Sequence, residues 1–175
     1  ISLLSRLNAV KPVWVELGLQ TVHAESARYI RRGYELPVFE DAVKRLRQAG
    51  LEVIVHMIIG LPGETEQMIY DTARYIGSQD IQGVKFQLLH VLRDTDLASA
   101  YLAGEFETLS LEDYTRILSG CIQRIPPQTV VHRITGDGDK KLLIAPMWSG
   151  DKKRVLNYVN QYFDKTALLQ GSALI

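Results

Sequence analysis

Three polar side chains stand in or beside predicted strands, where they could do acid–base or binding chemistry. Glu16 interrupts an apolar run over 13–19, and an unpaired carboxylate inside a strand is costly. It therefore either pairs with a neighbouring Arg or Lys or holds a ligand hydroxyl, and the sequence leaves both open. Gln20 ends that run, where its amide could bind a polar ligand. His56, in the next apolar run, is either a core residue whose ring is hydrogen-bonded within the protein or a base near neutral pH.

The most informative segment runs from His56 to Thr65, with the sequence HMIIGLPGET. The aliphatic run over 53–59 predicts a buried strand. The glycines that follow allow a tight turn and a close approach of the backbone to a ligand. A Glu-Thr pair then begins an amphipathic helix whose unpaired N–H groups face the strand end. Ligands of α/β proteins bind at that end of the strands, so the segment predicts a binding loop.

Two consecutive arginines, Arg31 and Arg32, follow a short predicted helix. An arginine at this point could reach over the strand ends and clamp a carboxylate with two parallel hydrogen bonds. The alternative is a solvated helix end, where positive side chains are favoured by the helix dipole.

The composition argues against several classes of protein. Twenty basic and twenty acidic residues give a formal net charge of +0 over 175 residues, so there is no global electrostatic case for nucleic acid or an anionic membrane. No apolar run approaches the roughly 20 residues of a membrane-spanning helix. The single cysteine, Cys121, cannot form an internal disulfide or hold an iron–sulfur cluster by itself. We therefore expect a cytoplasmic protein with no membrane association.

Predicted strands alternate with predicted helices along the chain. The strands are expected over 13–19, 51–59, 83–92 and 129–135, and the helices over 2–10, 24–31, 38–48, 64–78, 95–102, 111–124 and 151–163. Ser110 is expected to cap the helix over 111–124, and Gly50 to end the one over 38–48. A loop is expected over 136–139, and the tail beyond residue 166 is expected to be weakly ordered. This order implies parallel βαβ units with right-handed crossovers. Neither the GxGxxG fingerprint of a dinucleotide fold nor a GxxxxGK[ST] phosphate loop occurs. The pattern therefore favours an α/β barrel, or part of one.

Three strand exits, VELGLQT, HMIIGLPGET and LHVLRDTDLA, together resemble the C-terminal half of the radical S-adenosylmethionine (SAM) domain. They are most similar to the branch with oxygen-independent coproporphyrinogen III oxidase and the Elongator catalytic subunit. The later segment RITGDGDKKLLIAPMWSGDKKRVLN resembles bacterial Fe–S oxidoreductases of the YhcC type. The resemblance covers about Val13 to Asn157. It implies a parallel-stranded half TIM-type barrel over 1–125, with a C-terminal strand–helix extension over 126–175 packed on it.

The resemblance also implies which residues bind the cofactor. Gln20 matches a glutamine that contacts SAM, Arg32 an arginine near the SAM carboxylate, and Ile58 an apolar residue that packs on the adenine. Leu92 and Thr95 match a strand exit near the adenine, although Asp94 replaces the usual glycine there. The implied set of cofactor-binding residues is Glu16, Gln20, Arg32, His56, Ile58, Leu92 and Thr95.

One departure from the family pattern concerns the [4Fe–4S] cluster. Radical SAM enzymes bind it through a CxxxCxxC loop after the first strand, and this chain has one cysteine outside any such loop. The resemblance implies that the intact protein uses SAM and the cluster to form a 5′-deoxyadenosyl radical that abstracts a substrate hydrogen. We expect the present chain to be a fragment that binds no cofactor of its own and is inactive alone.

Two other functions remain open on the sequence. One is a non-catalytic binding domain derived from a barrel, and the other is an unrelated barrel lyase or isomerase. The substrate is unknown, with tRNA suggested by the Elongator-like resemblance but unsupported by the net charge. A half barrel would also leave a strand edge unpaired, so we expect the fragment to dimerise through that edge.

Overall fold

The computed structural model describes residues 1–136 and 138–174. Asp137, within the loop expected over 136–139, and Ile175 lie outside the described residues. The helices are α1 Ser2–Asn8, α2 Ala24–Tyr29, α3 Leu36–Gln48, α4 Glu66–Gly77, α5 Asp96–Leu102, α6 Leu111–Ile122 and α7 Lys152–Thr166, with a 3₁₀ helix at Met147–Gly150. The strands are β1 Trp14–Gln20, β2 Glu52–Ile59, β3 Gly83–Leu88, β4 Val91–Leu92, β5 Val130–Arg133 and β6 Leu143–Ala145.

A parallel sheet with the order β1-β2-β3-β5 is the centre of the fold. All three of its pairings are parallel, and helices connect the successive strands. The prediction of parallel βαβ units is therefore confirmed, and with it the α/β class. β5 belongs to the segment 126–175 and lies in the same sheet beside β3, so this segment contributes directly to the central sheet.

The two faces of this sheet have different environments. One face packs against the helices and forms the main core, whose strand residues are Leu19, Val53, Val55, Met57, Ile59, Val84, Phe86 and Leu88. Because side chains alternate between the faces of a strand, the residues between them point the other way. On this second face, called the inner face below, the sequence places Glu16, His56, Lys85 and Gln87.

Helix ends follow the capping chemistry that the sequence predicts. The Ser110 hydroxyl accepts a hydrogen bond from the Asp113 N–H at the start of α6. The Thr65 hydroxyl accepts one from Met68 at the start of α4. Gly50, after α3, has φ of 74°, a conformation that glycine adopts without a steric cost. These caps fix the points at which the chain turns into and out of the sheet.

The strand expected over 83–92 is wrong in its second half. The parallel pairing ends at Leu88, and Val91–Leu92 pairs instead with Leu143–Ala145 in a separate antiparallel ribbon. Leu89 and Val91 are both buried, so the apolar run continues through the bend and hides it in the sequence. The short strand β6 was not predicted.

The C-terminal tail, expected to be weakly ordered beyond residue 166, is held against the domain. The amides of Gly171 and Ala173 donate to the carbonyls of Ile122 and Gln123, and the Gln170 amide donates to the Pro126 carbonyl. Within the described residues, no helix is both long enough and apolar enough to span a lipid bilayer.

Candidate functional site

A cluster of four polar side chains crosses the inner face of the sheet, and we call Glu16, His56, Lys85 and Gln87 the polar cluster. The Lys85 ammonium lies 2.5 Å from Glu16 Oε1, and His56 Nε2 lies 2.7 Å from Glu16 Oε2. Gln87 Nε2 lies 2.9 Å from His56 Nδ1. Trp14 Nε1 donates a further hydrogen bond to Glu16 at 3.3 Å. Three neighbouring strands thus supply one continuous network.

The Glu16 carboxylate is the negative centre of the polar cluster. The pKa of Glu16 is lowered from 4.5 to about 2, mainly by the hydrogen bond from Lys85. Burial acts in the opposite direction, and the hydrogen bonds from His56 and Trp14 lower the pKa further. Glu16 is therefore ionised at neutral pH. Of the two possibilities left open by the sequence, the structure shows Glu16 paired with a lysine, and with His56 as well.

The state of the His56 ring follows from its neighbours. An ionised carboxylate can only accept hydrogen bonds, so Nε2 of His56 carries the proton and donates to Glu16. In a neutral ring this leaves Nδ1 as an acceptor, and the Gln87 amide nitrogen beside it is a donor. His56 is thus a strand residue whose two ring nitrogens both have hydrogen-bond partners.

A cavity of about 890 Å³ opens at the carboxyl end of β2, and we call it the mouth cavity. Its apolar lining includes Ile30, Ile58, Leu61, Leu89, Leu97 and Ala100. At its rim the exposed side chains of Arg31 and Asp96 form an ion pair of 2.5 Å between the end of α2 and the start of α5. A largely apolar slot with a charged rim suits a planar ring that carries a polar or charged group.

Arg32 does not line the mouth cavity. Its Nη1 donates to the carbonyl oxygens of Leu19 and Thr21, and its Nε donates to that of Tyr34. Arg32 thus ties the α2–α3 connection to the end of β1. Of the two neighbouring arginines, the one at the cavity rim is Arg31, whose φ of 55° turns the chain there.

Gln20 sits at an irregular end of β1. The strand has a bulge between Gly18 and Gln20, and φ of Gln20 is 61°. The Gln20 side chain folds back over Gly18, so closely that a Cβ at residue 18 would lie 2.5 Å from its terminal amide group. Gly18 pairs with His56 in the sheet register, so the Gln20 amide lies close to β2, the strand that carries His56.

The ends of β1 and β2 are joined by a hydrogen bond that the sequence did not reveal. The hydroxyl of Thr21, which is fully buried, donates to Glu64 Oε1 at 2.6 Å and accepts from the His23 N–H at 3.1 Å. Glu64 belongs to the GLPGET loop, so this bond links the two strand exits of the resemblance. It holds the backbone next to Gln20.

Leu92 and Thr95 lie at the turn into α5. The Thr95 hydroxyl donates to the Leu92 carbonyl at 2.7 Å and accepts from the Ala98 N–H at 3.1 Å, which caps the helix. Asp94 between them has φ of 62°, the left-handed conformation that favours glycine. This is the position at which the family pattern has glycine. Thr95 therefore positions α5, the helix that carries Leu97 and Ala100 into the mouth cavity.

Of the seven residues implied by the resemblance, the structure brings together Glu16 and His56 in the polar cluster and places Ile58 in the mouth cavity. Lys85, Gln87 and Asp96 were not singled out. Arg31 was considered with Arg32 as a carboxylate clamp, but only Arg32 entered the set implied by the resemblance. The alternation in Gly83–Leu88, which puts Lys85 and Gln87 on one face, was the available signal for two of them.

The chain's residues do not fit an iron–sulfur cluster. Such a cluster needs several thiolates, and the only cysteine of the sequence, Cys121, is fully buried in α6. Burial raises the pKa of the Cys121 thiol, which disfavours the thiolate. Within residues 1–136 and 138–174, no group of three His, Cys, Asp or Glu side chains is arranged to hold a metal ion.

Comparison with known proteins places the chain among radical SAM proteins. The model of the radical SAM superfamily matches residues 1–76, and that of the radical SAM C-terminal domain matches residues 81–165. Protein YtqA of Bacillus subtilis is 40% identical over 171 residues, covering 98% of this chain and 53% of YtqA. Protein YhcC of Escherichia coli K12 is 33% identical over 162 residues, covering 93% of this chain and 52% of YhcC.

The fold also matches a solved structure. The archaeal Methanocaldococcus infernus Elp3 with an N-terminal deletion superposes with a TM-score of 0.76 at 22% identity, covering 95% of this chain and 39% of that one. At this identity the likeness shows the fold alone. The chain spans about half the length of the curated relatives YtqA and YhcC. Since the two family models match in succession over most of its length, the chain belongs to the radical SAM superfamily.

Proposed function

We propose that the mouth cavity binds the nucleoside part of SAM in this chain itself, in place of the expectation that it binds no cofactor of its own. The chain would then supply the cofactor-binding portion of a radical SAM enzyme. The observation that carries the proposal is the apolar cavity at the carboxyl end of β2, with Ile58 in its wall. Ile58 is the residue that the family pattern places against the adenine. The volume of the mouth cavity, about 890 Å³, lies within the range of small-molecule sites.

The chain's own residues would bind and orient this ligand. Ile58, Leu61 and Leu97 offer apolar surface to a purine ring and exclude water from it. Arg31 at the rim offers a guanidinium to a carboxylate, in competition with Asp96. When bound, SAM supplies the hydrogen-abstracting chemistry of this superfamily. The residues of this chain do not fit the [4Fe–4S] cluster, so no cluster-dependent step is assigned to them.

S-Adenosylhomocysteine, which keeps the nucleoside and the carboxylate, is the probe for the experiment. Ala100→Phe would fill the mouth cavity from α5, and we expect it to weaken binding at least about tenfold because a ring in the slot excludes the purine. Leu102→Phe is the matched control, since Leu102 lies on the same helix and is 73% exposed. Equilibrium dialysis measures both. Equal affinity of the two variants would contradict the proposal.

A non-catalytic binding domain is the second candidate, and the single cysteine favours it. It shares the nucleoside site with the first candidate and differs in having no turnover. Family membership removes the unrelated lyase or isomerase. We also propose a cytoplasmic location, where a free thiol such as Cys121 stays reduced. Fractionation of cells that express the tagged protein tests this location.

A further inference from the structure

We infer that His56 is a proton-transfer group of the inner face, oriented by Glu16, and that it accepts a proton at Nδ1 from an O–H or N–H group of the substrate. The inference rests on the proposed function in one respect: with the nucleoside in the mouth cavity, the substrate would lie beside it, at the carboxyl end of the inner face. Its observations are the contacts of the His56 ring and the register of the sheet.

The ring is directed along the sheet by partners on opposite sides. Glu16 pairs in register with Ile54, which lies towards the amino end of β2 from His56. Gln87 pairs with Ile58, which lies towards the carboxyl end. Because Nε2 contacts Glu16 and Nδ1 contacts Gln87, Nδ1 is directed towards the carboxyl end. Ile58 lines the mouth cavity at that end, so Nδ1 is the ring atom that faces the ligand side.

The other ring nitrogen is anchored. Glu16 receives hydrogen bonds from Lys85 and Trp14 besides that from His56, so its carboxylate is held in place on β1. A carboxylate that binds one nitrogen of an imidazole sets the tautomer and stabilises the imidazolium that forms when the other nitrogen takes up a proton. Glu16 keeps its negative charge at neutral pH, as its lowered pKa requires.

The amide of Gln87 marks the place of the substrate group. It is a neutral donor 2.9 Å from Nδ1, and an alcohol or amine of a substrate could take the same position by displacing it. In the transfer, the O–H or N–H bond of the substrate breaks and an N–H bond forms at Nδ1. The electron pair stays on the substrate atom, Glu16 balances the imidazolium charge, and the reverse step restores both groups.

Besides Glu16 and Gln87, the charged side chain of Lys85 faces this ring from a neighbouring strand. Lys85 is the register partner of His56 on β3, and its ammonium is directed to Glu16. The side chains of His56 and Lys85 are 22% and 17% exposed, so the pair is shielded without being sealed. This degree of shielding strengthens the Glu16–His56 interaction and leaves Nδ1 accessible once Gln87 moves.

The first test uses the unaltered chain and needs no cofactor. Two-bond ¹H–¹⁵N spectra of the histidine-labelled protein, recorded at a pH where the ring is neutral, identify which nitrogen carries the proton. The inference requires the Nε2–H tautomer for His56. The Nδ1–H tautomer would overturn it, because the nitrogen facing the ligand side would then be a donor.

The second test separates a proton acceptor from a merely structural histidine. Diethyl pyrocarbonate acylates an imidazole nitrogen that has a free lone pair, and peptide mass spectrometry gives a rate for each histidine. We expect Gln87→Ala, which uncovers Nδ1, to speed the reaction of His56 by about three- to tenfold, the factor of one neutral hydrogen bond. The exposed His132 is the internal reference and should not change.

Adding Glu16→Gln to Gln87→Ala should slow the reaction of His56 again by at least about threefold, because the ring loses its anionic partner. Gln87→Ser serves if the alanine variant fails to fold. An unchanged rate on uncovering Nδ1, or equal rates in the single and double variants, would overturn the inference. None of these measurements involves SAM, so their failure and the failure of nucleoside binding in the mouth cavity are distinguishable.

Discussion

The ion pair between Lys85 and Glu16 makes a prediction about stability in acid. The pKa of Glu16 is lowered from 4.5 to about 2 in the folded chain, with the Lys85 hydrogen bond as the main cause. A group with a depressed folded-state pKa stabilises the protein above its ordinary pKa and loses that contribution as the pH falls towards the folded-state value. Stability from Glu16 is therefore complete above about pH 4.5 and declines between pH 4.5 and about 2.

The size of this contribution to stability follows from the pKa shift of Glu16 and from the solvent exposure of its side chain. Unscreened, the shift corresponds to about 3 kcal/mol. The Glu16 side chain is 36% exposed, and solvent screening reduces the expected contribution to about 1 kcal/mol. The assay is a double-mutant cycle of Glu16→Gln and Lys85→Met, with the free energy of unfolding measured in urea at pH 6.5 and pH 3. We expect a coupling of about 1 kcal/mol at pH 6.5 and about 0.4 kcal/mol at pH 3, where the folded-state pKa of about 2 leaves Glu16 partly stabilising.

A matched exposed pair provides the control. Arg45 and Asp41 form an i,i+4 ion pair with side chains 62% and 61% exposed, and its coupling should be about 0.3–0.5 kcal/mol. A Glu16–Lys85 coupling no larger than this control at pH 6.5, or one that stays constant down to pH 3, would mean that Lys85 does not lower the pKa of Glu16. Either result would mean that the polar cluster is solvated as an ordinary surface.

Three further predictions concern the backbone, the packing and the sheet edge. Asp94→Gly should stabilise the chain by about 0.5–1 kcal/mol in urea unfolding, because φ at Asp94 is 62°; a loss of stability would contradict this. Gly120→Ala should lower the free energy of unfolding by about 1–3 kcal/mol, because the added Cβ would lie 2.5 Å from the Tyr70 ring. Gly150→Ala is the control: its Cβ would lie 3.6 Å from the nearest atom, so the stability should hardly change. We propose that β1, which lies at the edge of the four-stranded sheet, pairs with a second copy of the chain. Light scattering should then show a concentration-dependent dimer. A monomer at all concentrations would argue against this pairing.

The order of elements could be predicted because it depends on local patterns. The alternation of apolar runs and amphipathic segments indicated the strands, and polar residues such as Ser110 indicated helix starts. The bend after Leu88 could not be predicted in the same way, because buried residues stand on both sides of it.

The site was less predictable because its contacts depend on the register between strands. Glu16 and His56 are each conspicuous in an apolar strand, but their contact needs the β1–β2 register. Lys85 joins them from a third strand, 69 residues beyond Glu16. Likewise, one neighbouring arginine faces the cavity and the other the backbone because of a local turn at Arg31. Sequence spacing alone cannot resolve such a turn.

The most direct test of the central claim is whether the mouth cavity receives an adenine ring. Nuclear Overhauser effects between the adenine protons of S-adenosylhomocysteine and isotope-labelled isoleucine methyl groups report this contact in solution. We expect cross-peaks to Ile58 and to Ile30, which both line the cavity, and none to Ile76 in the main core. Binding that gives no cross-peak to Ile58, or no binding at millimolar ligand, would contradict it.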